Sequence, residues 1–537
     1  MTTHLFIGDS ITDVDRRVDP EELGFGYVRL IAQQTGDHVV NRGVGGDRAI
    51  DLEARWEADV LTTTPDTLTV YVGINDTWQR VVGGPETTAA TFEATFRRLL
   101  SRLPGDVRLV LMEPFVVPVS RDQESWYHDL GPKQRVVRAL AEEFGAVFIP
   151  LQSVMTQAAA ESSASAIAYD GVHPTDRGHE LIAAAWLHGT RTWTGRFIAP
   201  VQNFPEAPRL RKEFTLDAGH GAIRSAELAL SALGVQETWL NGERVGDDLL
   251  EPGWTSYEWR IGYRRYDVTA QLADANVLGM VVGNGWYRGH LGWESRSAVY
   301  GDRIAGFAEL RVVFADGHRQ VVATDESWTC SPSEIDSDDL YNGQAIDARR
   351  RDDAWLGPGT PPGVWSSTVA VDDVTGRLEE SLLPPVRMQE AIAPVETRVL
   401  DDDRVLLDFG QNLVGWVRLT VSGASGDEVI VRHAEVLEHG ELAVRPLRSA
   451  EATDRYRLSG GEDLFEPTFT WHGFRYAELR VPRDATWRAE AVVVGSLLTR
   501  TGTFHCSDPL VNRLHENVVW STRGNFLSIP TDCPQRD

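Results

Sequence analysis

Short apolar segments alternate with amphipathic segments along residues 1–195, and this alternation constrains the fold more than any other feature of the sequence. Five apolar segments are predicted strands, at 4–7, 38–41, 67–72, 108–112 and 146–149. The helical patterns between and after them cover 26–35, 48–60, 86–102, 132–144 and 175–186. Alternation of this kind predicts a parallel sheet with helices on both faces.

Four short polar motifs lie where the predicted strands end. Three follow the first three strands and the fourth precedes the last helical pattern: GDS at 8–10, GGD at 45–47, GIND at 73–76 and DGVH at 170–173. Because the carboxyl ends of parallel strands share one edge of the sheet, the motifs are expected to meet there. Each motif alone is also typical of a helix cap, a phosphate-binding turn or an ordinary loop. Together and in this order they favour a catalytic site.

These motifs contain the residue types that a serine ester hydrolase needs. Ser10 is the candidate nucleophile, and a serine hydroxyl attacks effectively only when a base takes its proton. His173 is the candidate base, and Asp170 can orient its ring and stabilise the imidazolium. The backbone N–H groups of Ser10 and Gly46 and the side-chain amide of Asn75 are the candidate oxyanion donors.

The four motifs resemble those of the SGNH (GDSL) hydrolases, in the family's order and across residues 1–195. The resemblance implies a flavodoxin-like three-layer α/β domain. It also implies that Ser10 is the nucleophile and that Asp170 and His173 are the acid–base pair. Gly46 and Asn75 would complete the oxyanion hole. The family often has Ser-Gly in the second motif, where this chain has Gly-Gly at 45–46. No GxSxG motif surrounds Ser10, which disfavours the α/β-hydrolase fold.

The sequence pattern changes after residue 195. Residues 196–210 contain three prolines and are predicted to be a linker. Residues 211–375 and 390–500 contain short alternating strands, which predict two β-sandwich domains. Turn signals separate these strands, among them Asn241-Gly242, Asp316-Gly317 and Asn342-Gly343.

Residues from 211 onward resemble the non-catalytic front half of bacterial α-L-rhamnosidases. The stretches that carry the resemblance occur in the family's order: TWLNGERVGDDLLEPGWTSYEWRIGYRRYDVT, VVGNGWYRGHLGW, LYNGQAIDARR, LLDFGQNLVGWVRL, RHAEVL and TDRYRLSGGEDLFEPTFTWHGFRYAEL. The final stretch, STRGNFLSIPTDCPQRD, resembles the start of the family's catalytic domain. The resemblance therefore implies that residues 501–537 begin an all-α barrel.

The resemblance also suggests sugar-binding residues, because related modules bind rhamnose, some of them with calcium. A calcium ion in the first β-sandwich is accordingly an open possibility. The candidate sugar-binding residues are Asn241, Trp254, Asn284, Trp286 and Asp532. Aromatic faces stack on sugars, but large aromatic residues also dominate protein cores, so most tryptophans of this region, Trp293 included, are expected to be core residues.

The net charge of −27 makes nucleic acid and anionic membranes poor partners and favours a neutral substrate such as a sugar. Three widely spaced cysteines, Cys330, Cys506 and Cys533, argue against a disulfide framework or a zinc site, so no metal or cofactor is predicted beyond the possible calcium. No apolar run reaches the ~20 residues of a membrane helix, and no secretory signal is recognised. A cytoplasmic location is expected, and the oligomeric state stays open.

The leading hypothesis is a carbohydrate-active hydrolase, in which a serine esterase removes acyl groups, most simply acetyl, from rhamnose-containing glycans. The residues that a rhamnosidase uses as acid and base are expected beyond DCPQRD, so residues 1–537 alone are not expected to cleave rhamnosides. The alternatives are a sugar-binding fragment with a degenerate esterase, and a lipid or short-chain esterase. The intact motif residues argue against degeneracy, and the rhamnosidase-like segments argue against lipid.

Overall fold

The structure of the protein, a computed structural model, describes residues 2–292 and 294–536. Trp293 therefore lies outside the described residues. The chain divides into two compact units, Met1–Thr192 and Trp193–Asp537.

The first unit is built on a parallel sheet in the order β2-β1-β3-β4-β5. Its strands are β1 (Thr3–Gly8), β2 (His38–Gly43), β3 (Thr67–Tyr71), β4 (Arg108–Met112) and β5 (Val147–Ile149). Each coincides with a predicted strand, and the predicted parallel-sheet domain is confirmed. Because β2 and β3 lie on opposite sides of β1, the crevice for a ligand lies at the carboxyl ends of β1 and these two neighbours.

Helices connect these strands. They are α1 (Ser10–Asp13), α2 (Tyr27–Thr35), α3 (Ala49–Trp56), α4 (Ile74–Val81), α5 (Ala89–Leu100), α6 (Arg121–Glu124), α7 (Tyr127–Glu143), α8 (Leu151–Glu161), α9 (Ala164–Ile167) and α10 (Asp176–Gly189). The sequence patterns located α2, α3, α5, α7 and α10. They missed α4, α8 and the short helices α1, α6 and α9, and they placed the start of α7 at Pro132, which lies inside the helix.

Two cores cover the two faces of this sheet. Leu5 and Ile7 of β1 pack in one core with Trp56 of α3. Phe6, between them, packs in the other core with Trp186 of α10. Side chains alternate between the faces of a strand, so a strand buried on both faces is apolar throughout, as the segment LFI is.

The second unit is mainly β-structure. Its first strands are β6 (Ile198–Pro200), β7 (Pro208–Thr215), β8 (Ile223–Leu233), β9 (Val235–Leu240), β10 (Glu243–Arg244), β11 (Arg260–Asp267), β12 (Ala275–Gly283), β13 (Ala305–Phe314), β14 (Arg319–Ala323), β15 (Thr329–Pro332), β16 (Ile335–Asp339), β17 (Gly343–Asp347), β18 (Ser366–Ala370) and β19 (Arg377–Glu380). The short helix α11 (Gly285–Arg288) follows β12.

Most of these strands form one folded sheet, in the order β10-β9-β12-β7-β15-β18-β6-β13-β8-β11-β19, with β14 beside β13. Its two halves face each other across a core. A Cβ atom on Gly306 of β13 would lie 2.5 Å from the sulfur of Met280 and 2.7 Å from a methyl group of Leu210, on β12 and β7. This close packing makes the predicted β-sandwich, and Asn241-Gly242 turns the chain between β9 and β10 with φ angles of +55° and +83°.

The remaining strands are β20 (Val386–Ile392), β21 (Glu396–Val399), β22 (Arg404–Ser422), β23 (Glu428–Ala434), β24 (Leu437–Glu438), β25 (Glu441–Leu442), β26 (Thr453–Arg457), β27 (Glu462–Phe465), β28 (His472–Arg480), β29 (Thr486–Ser496), β30 (Phe526–Leu527) and β31 (Ile529–Pro530). The second large sheet has the order β16-β17-β26-β23-β28-β22-β29-β20, and β21 and β27 pair with β22.

The predicted linker is wrong, and one strand pairing crosses between the two predicted β-domains. The supposed linker at 196–210 contains β6 and the start of β7, and Ile198 and Leu210 are fully buried in the first sheet. The β16–β17 hairpin, assigned from sequence to the first domain, pairs through β17 with β26 of the second sheet. Strand pairing between distant segments depends on backbone hydrogen bonds, which prolines and turn signals in the sequence do not specify.

A single longer helix, α12 (Pro509–Gly524), follows the sheets in the described part of this unit. Its side chains Leu510, Leu514 and Val518 are 79%, 61% and 54% exposed. Within the described ranges, no helix is both long and apolar enough to cross a lipid bilayer.

Candidate active site

Ser10 lies at the start of α1, directly after β1. Asp9 caps this helix, since its carboxylate accepts the backbone N–H of Ile11 at 3.0 Å. Gly8 ends β1, and a Cβ atom there would lie 2.3 Å from the carbonyl oxygen of Tyr71 on β3. The chain can therefore pass this close to β3 only with glycine at position 8.

Ser10, His173 and Asp170 form a continuous hydrogen-bonded chain. The Ser10 hydroxyl donates to Nε2 of His173 at 3.0 Å, and Nδ1 of His173 donates to Oδ2 of Asp170 at 2.7 Å. The other Asp170 oxygen accepts the backbone N–H groups of Val172 at 3.0 Å and His173 at 2.8 Å. Partial burial would raise the pKa of Asp170, but these hydrogen bonds, with the one from the His173 ring foremost, hold it below its usual value. A carboxylate in this position fixes the tautomer that leaves Nε2 facing the serine.

The loop that carries Asp170 is tied to a distant segment. The side chain of Gln123 donates from Nε2 to the Asp170 carbonyl oxygen at 2.6 Å and accepts the Val119 N–H at 2.9 Å. The neighbouring Gly171 carbonyl accepts the Val117 N–H at 2.8 Å. Gln123 therefore positions the Asp170 loop, and its sequence context gives no signal of this role.

Two aromatic rings flank the His173 imidazole, each with its centroid 5.7 Å away. They belong to Trp78 of α4 and to Tyr169, which is 63% exposed. The sequence offered indirect signals for both, since Tyr169 precedes the DGVH motif and Trp78 lies one helical turn after Asn75. Together they form walls beside the base.

The second and third motifs meet next to Ser10. Gly46 has a φ angle of +87°, a conformation that favours glycine, and the N–H of Gly45 is used by Oδ2 of Asp13 at 3.0 Å. Asn75 donates one amide N–H to the Asp47 carbonyl at 3.1 Å, and a carboxamide has a second N–H to offer. The structure thus places all five residues of the predicted esterase site at the same edge of the sheet.

Buried carboxyl groups lie behind this edge. Burial raises the pKa of Asp9 to about 7, and burial likewise raises the pKa of Asp76 to about 6. Asp76 also accepts the N–H of Ala49 at 3.0 Å, which joins the third motif to the helix after the second. These groups support the site without touching the Ser10 hydroxyl.

Of the predicted sugar-binding residues of the second unit, Trp254 and Trp286 lie together, with their rings stacked and the centroids 6.2 Å apart. Trp286 is fully buried, so its ring cannot stack on a sugar, and this prediction is corrected. The amide of Asn241 bonds to Gln271 and Asn276 at 2.8 and 2.9 Å, so it serves the turn and the prediction for it is also corrected.

The other candidates differ in their surroundings. Trp254 is half-buried and donates from Nε1 to the Tyr300 hydroxyl at 2.9 Å. Asp532 is exposed near the end of the described chain. Asn284 lines a polar cleft together with Asp338 and Gln344.

A buried group in the second unit has metal-binding residue types. The ligand atoms of His433, Asp454 and His472 all lie within 4.8 Å of one another. The His472 ring is already hydrogen-bonded to Asp454, at 3.2 and 3.3 Å, and Asp454 accepts the N–H of Gln344 at 2.9 Å. The group forms a hydrogen-bonded network inside the second sheet.

Comparison with known proteins matches the first unit to an esterase family. Residues 6–181 match the GDSL-like Lipase/Acylhydrolase family. An acetylxylan esterase from Geobacillus stearothermophilus is 34% identical to the chain over 200 residues, which cover 34% of this chain and 91% of that protein. The chain belongs, through its first unit, to the GDSL-like lipase/acylhydrolase family. The hydrogen-bonded Ser10, His173 and Asp170 all lie within the matched residues of this GDSL-like domain.

Three further matches follow in order along the second unit. Residues 221–390 match the alpha-L-rhamnosidase N-terminal domain, residues 398–496 the bacterial alpha-L-rhamnosidase concanavalin-like domain, and residues 499–537 the bacterial alpha-L-rhamnosidase 6 hairpin glycosidase domain. The resemblance found in the sequence is confirmed. In this chain a GDSL-like domain precedes rhamnosidase-type domains.

Two rhamnosidases illustrate the extent of the similarity. An alpha-L-rhamnosidase from Streptomyces avermitilis is 41% identical over 362 residues, which cover 66% of this chain and 34% of that protein. The crystal structure of native alpha-L-rhamnosidase from Aspergillus terreus is 40% identical, covers 64% of this chain and 41% of that chain, and has a TM-score of 0.61. The chain spans between 34% and 39% of the length of the curated rhamnosidases it matches.

We predict that Asp9→Asn stabilises the GDSL-like domain increasingly as the pH rises. The raised pKa keeps the folded carboxyl protonated up to about pH 7, whereas the unfolded one ionises near pH 4, so wild-type stability falls between these values. Asparagine removes this loss and still caps the helix. Scanning calorimetry should show a larger gain in Tm at about pH 8 than at about pH 5.

The control for this prediction is Asp106→Asn, at an exposed position of the same unit. It should leave Tm unchanged at both pH values. Equal gains for Asp9→Asn at both pH values would show that Asp9 does not hold its proton in the folded domain.

Proposed function

We propose that the GDSL-like domain is a serine esterase that removes acyl groups from a glycan. The observation that carries the proposal is the hydrogen-bonded chain from Ser10 through His173 to Asp170, with distances of 3.0 and 2.7 Å. Both distances lie within the range for productive proton transfer. A degenerate esterase would have no reason to retain this geometry.

In the proposed reaction, Ser10 Oγ attacks the ester carbonyl carbon while its proton passes to Nε2 of His173. The oxyanion accepts hydrogen bonds from the N–H groups of Ser10 and Gly46 and from Asn75. Collapse of the intermediate breaks the ester bond, and the imidazolium returns the proton to the departing sugar oxygen. Water, activated by His173, then hydrolyses the acyl-enzyme and releases the carboxylic acid.

The proposed substrate is a neutral glycan with small acyl groups, most simply acetyl. Support comes from the acetylxylan esterase among the relatives and from the rhamnosidase-type domains on the same chain. The net charge of −27 also suits a neutral substrate better than an anionic one. Turnover of p-nitrophenyl acetate and acetylated oligosaccharides, with little turnover of p-nitrophenyl palmitate, would separate a glycan deacetylase from a lipid esterase.

Ser10→Ala should abolish hydrolysis of p-nitrophenyl acetate, because no other group can form the acyl-enzyme. The matched control is Ser153→Ala, an exposed serine of the same domain, which should keep full activity. Wild-type turnover by Ser10→Ala would refute the assignment.

Asn75→Ala should lower kcat by about 10²-fold with little change in KM, because an oxyanion donor acts mainly in the transition state. Steady-state kinetics with p-nitrophenyl acetate measure both constants. Since Asn75 also bonds to Asp47, the variant's circular dichroism should be compared with that of the wild type. A change in KM alone would make Asn75 a substrate-binding residue.

We further propose that residues 501–537 begin an α-helical barrel that carries rhamnosidase activity in a longer polypeptide. The match of residues 499–537 to the six-hairpin glycosidase domain and the exposed apolar stripe on α12 support this proposal. Glycoside hydrolysis needs two carboxyl groups across one bond, and Asp532 is a single candidate. Residues 1–537 should therefore not hydrolyse p-nitrophenyl α-L-rhamnopyranoside, and turnover that survives Ser10→Ala would contradict this assignment.

A further inference from the structure

Three side chains of metal-binding type meet inside the second large sheet. They lie on adjacent strands, His433 on β23, Asp454 on β26 and His472 on β28. Val431 lies opposite Asp454 where β23 pairs with β26, so His433, two residues further along, shares a face of the sheet with Asp454. None of the three side chains is more than 1% exposed. Strand pairing therefore brings together buried ligands that are far apart in the sequence.

The distances between these side chains suit a small metal ion. Oδ2 of Asp454 lies 3.2 Å from Nε2 of His472 and 3.9 Å from Nε2 of His433. Ligand atoms at about 2.0–2.1 Å from a tetrahedral zinc ion lie about 3.4 Å from one another. The two observed separations lie on either side of this value, so small side-chain shifts would admit the ion.

The His433 ring is oriented as a metal ligand is. Its Nδ1 donates to the Ala452 carbonyl oxygen at 3.0 Å, which leaves the lone pair on Nε2. Burial lowers the pKa of His433 to about 3, so the ring is neutral at physiological pH. Nε2 is buried and faces Asp454, yet it has no hydrogen-bond partner among the described residues. Metal-binding histidines commonly donate their other ring N–H to a backbone carbonyl, and buried polar atoms are normally paired, so this bare nitrogen points to an ion.

The other two side chains are also able to bind an ion. Oδ1 of Asp454 accepts the Gln344 N–H at 2.9 Å, which orients the carboxylate. Nε2 of His472 donates to the two Asp454 oxygens through long hydrogen bonds of 3.3 and 3.2 Å. Nδ1 of His472 has no partner within the described part of the chain, so the ring proton can move to Nδ1 when an ion takes its place at Nε2.

The ligand types and the charge select the metal. Two imidazole nitrogens and one carboxylate suit zinc, whereas calcium and magnesium are bound mainly by oxygen ligands. Full burial would raise the pKa of Asp454, but the neighbouring His472 ring and the Gln344 N–H help to hold it below its usual value, so the carboxyl group is ionised. Buried charges in proteins are normally paired or bound to metals, and a zinc ion would supply the positive charge.

We propose that His433, Asp454 and His472 form a zinc-binding site that holds strands β23, β26 and β28 together. The second oxygen of Asp454 or a water molecule would complete the four ligands of a tetrahedral ion. Because all three side chains are buried, a substrate cannot reach the ion, and its role is structural rather than catalytic. The site lies in a different unit from Ser10 and is independent of the proposed esterase function.

The test compares the zinc content of the full chain with that of His433→Gln, both produced in zinc-supplemented medium and passed through gel filtration. Plasma mass spectrometry should find about one zinc ion per wild-type chain. The variant should hold about a tenth of this or less, because even the partners behind metal ligands contribute about tenfold or more to affinity. The zinc-loaded wild-type chain should also unfold at a higher temperature than the EDTA-treated chain.

The matched control is His318→Gln. This partly exposed histidine stacks on His220 with ring centroids 3.6 Å apart, and each of the two rings bonds to an aspartate, so the pair could hold an adventitious surface ion. The control should keep the zinc content of the wild type.

A second measurement protects the test against misfolding of the buried variant. The wild-type chain loaded with Co²⁺ instead of zinc should show the visible absorption of a four-coordinate ion, and zinc should displace it. A wild-type chain with no more zinc than His433→Gln, loss of zinc in His318→Gln instead, or a Co²⁺-treated chain without visible absorption would overturn the proposal.

Discussion

The esterase site depends on the parallel pairing of β1 with β2 and β3. In this register Gly8 lies opposite Gly43 on one side and Tyr71 on the other, so three strands end at the same level. The loops that follow bring the nucleophile and the oxyanion donors together, and hydrogen bonds such as the one from Asn75 to the Asp47 carbonyl join these loops. Only the acid–base pair must come from elsewhere, and the tie from Gln123 to the Asp170 carbonyl holds its loop in place.

Much of the first unit could be predicted from sequence because its signals are local. Apolar runs marked all five strands, and three of the motifs marked the ends of β1, β2 and β3. Gln123, Trp78 and Tyr169 were not recognised, because their roles arise from contacts across the fold. Helix α4 was overlooked because its start, GIND, has the composition of a turn.

In the second unit, local signals located turns but did not predict which segments pair or which side chains are buried. Turn residues located hairpins such as the one at Asn241-Gly242, since positive φ angles have a clear sequence signature. The linker prediction failed, because three prolines in 196–210 suggested a linker where strands β6 and β7 lie. Trp286 is buried in the core, and the sequence could not show this, because tryptophan occurs both in protein cores and in sugar-binding sites.

The two glycine-containing motifs beside Ser10 differ in whether their glycines can be substituted. Position 8 accepts only glycine, since any side chain would collide with the backbone of β3. Position 45 is roomy, because an added Cβ atom would lie 3.8 Å from Asp13 and 3.9 Å from Ser10, at ordinary contact distances. Directed evolution of acyl-group preference could therefore start from residue 45, where a small side chain would narrow the approach to the nucleophile without moving the sheet.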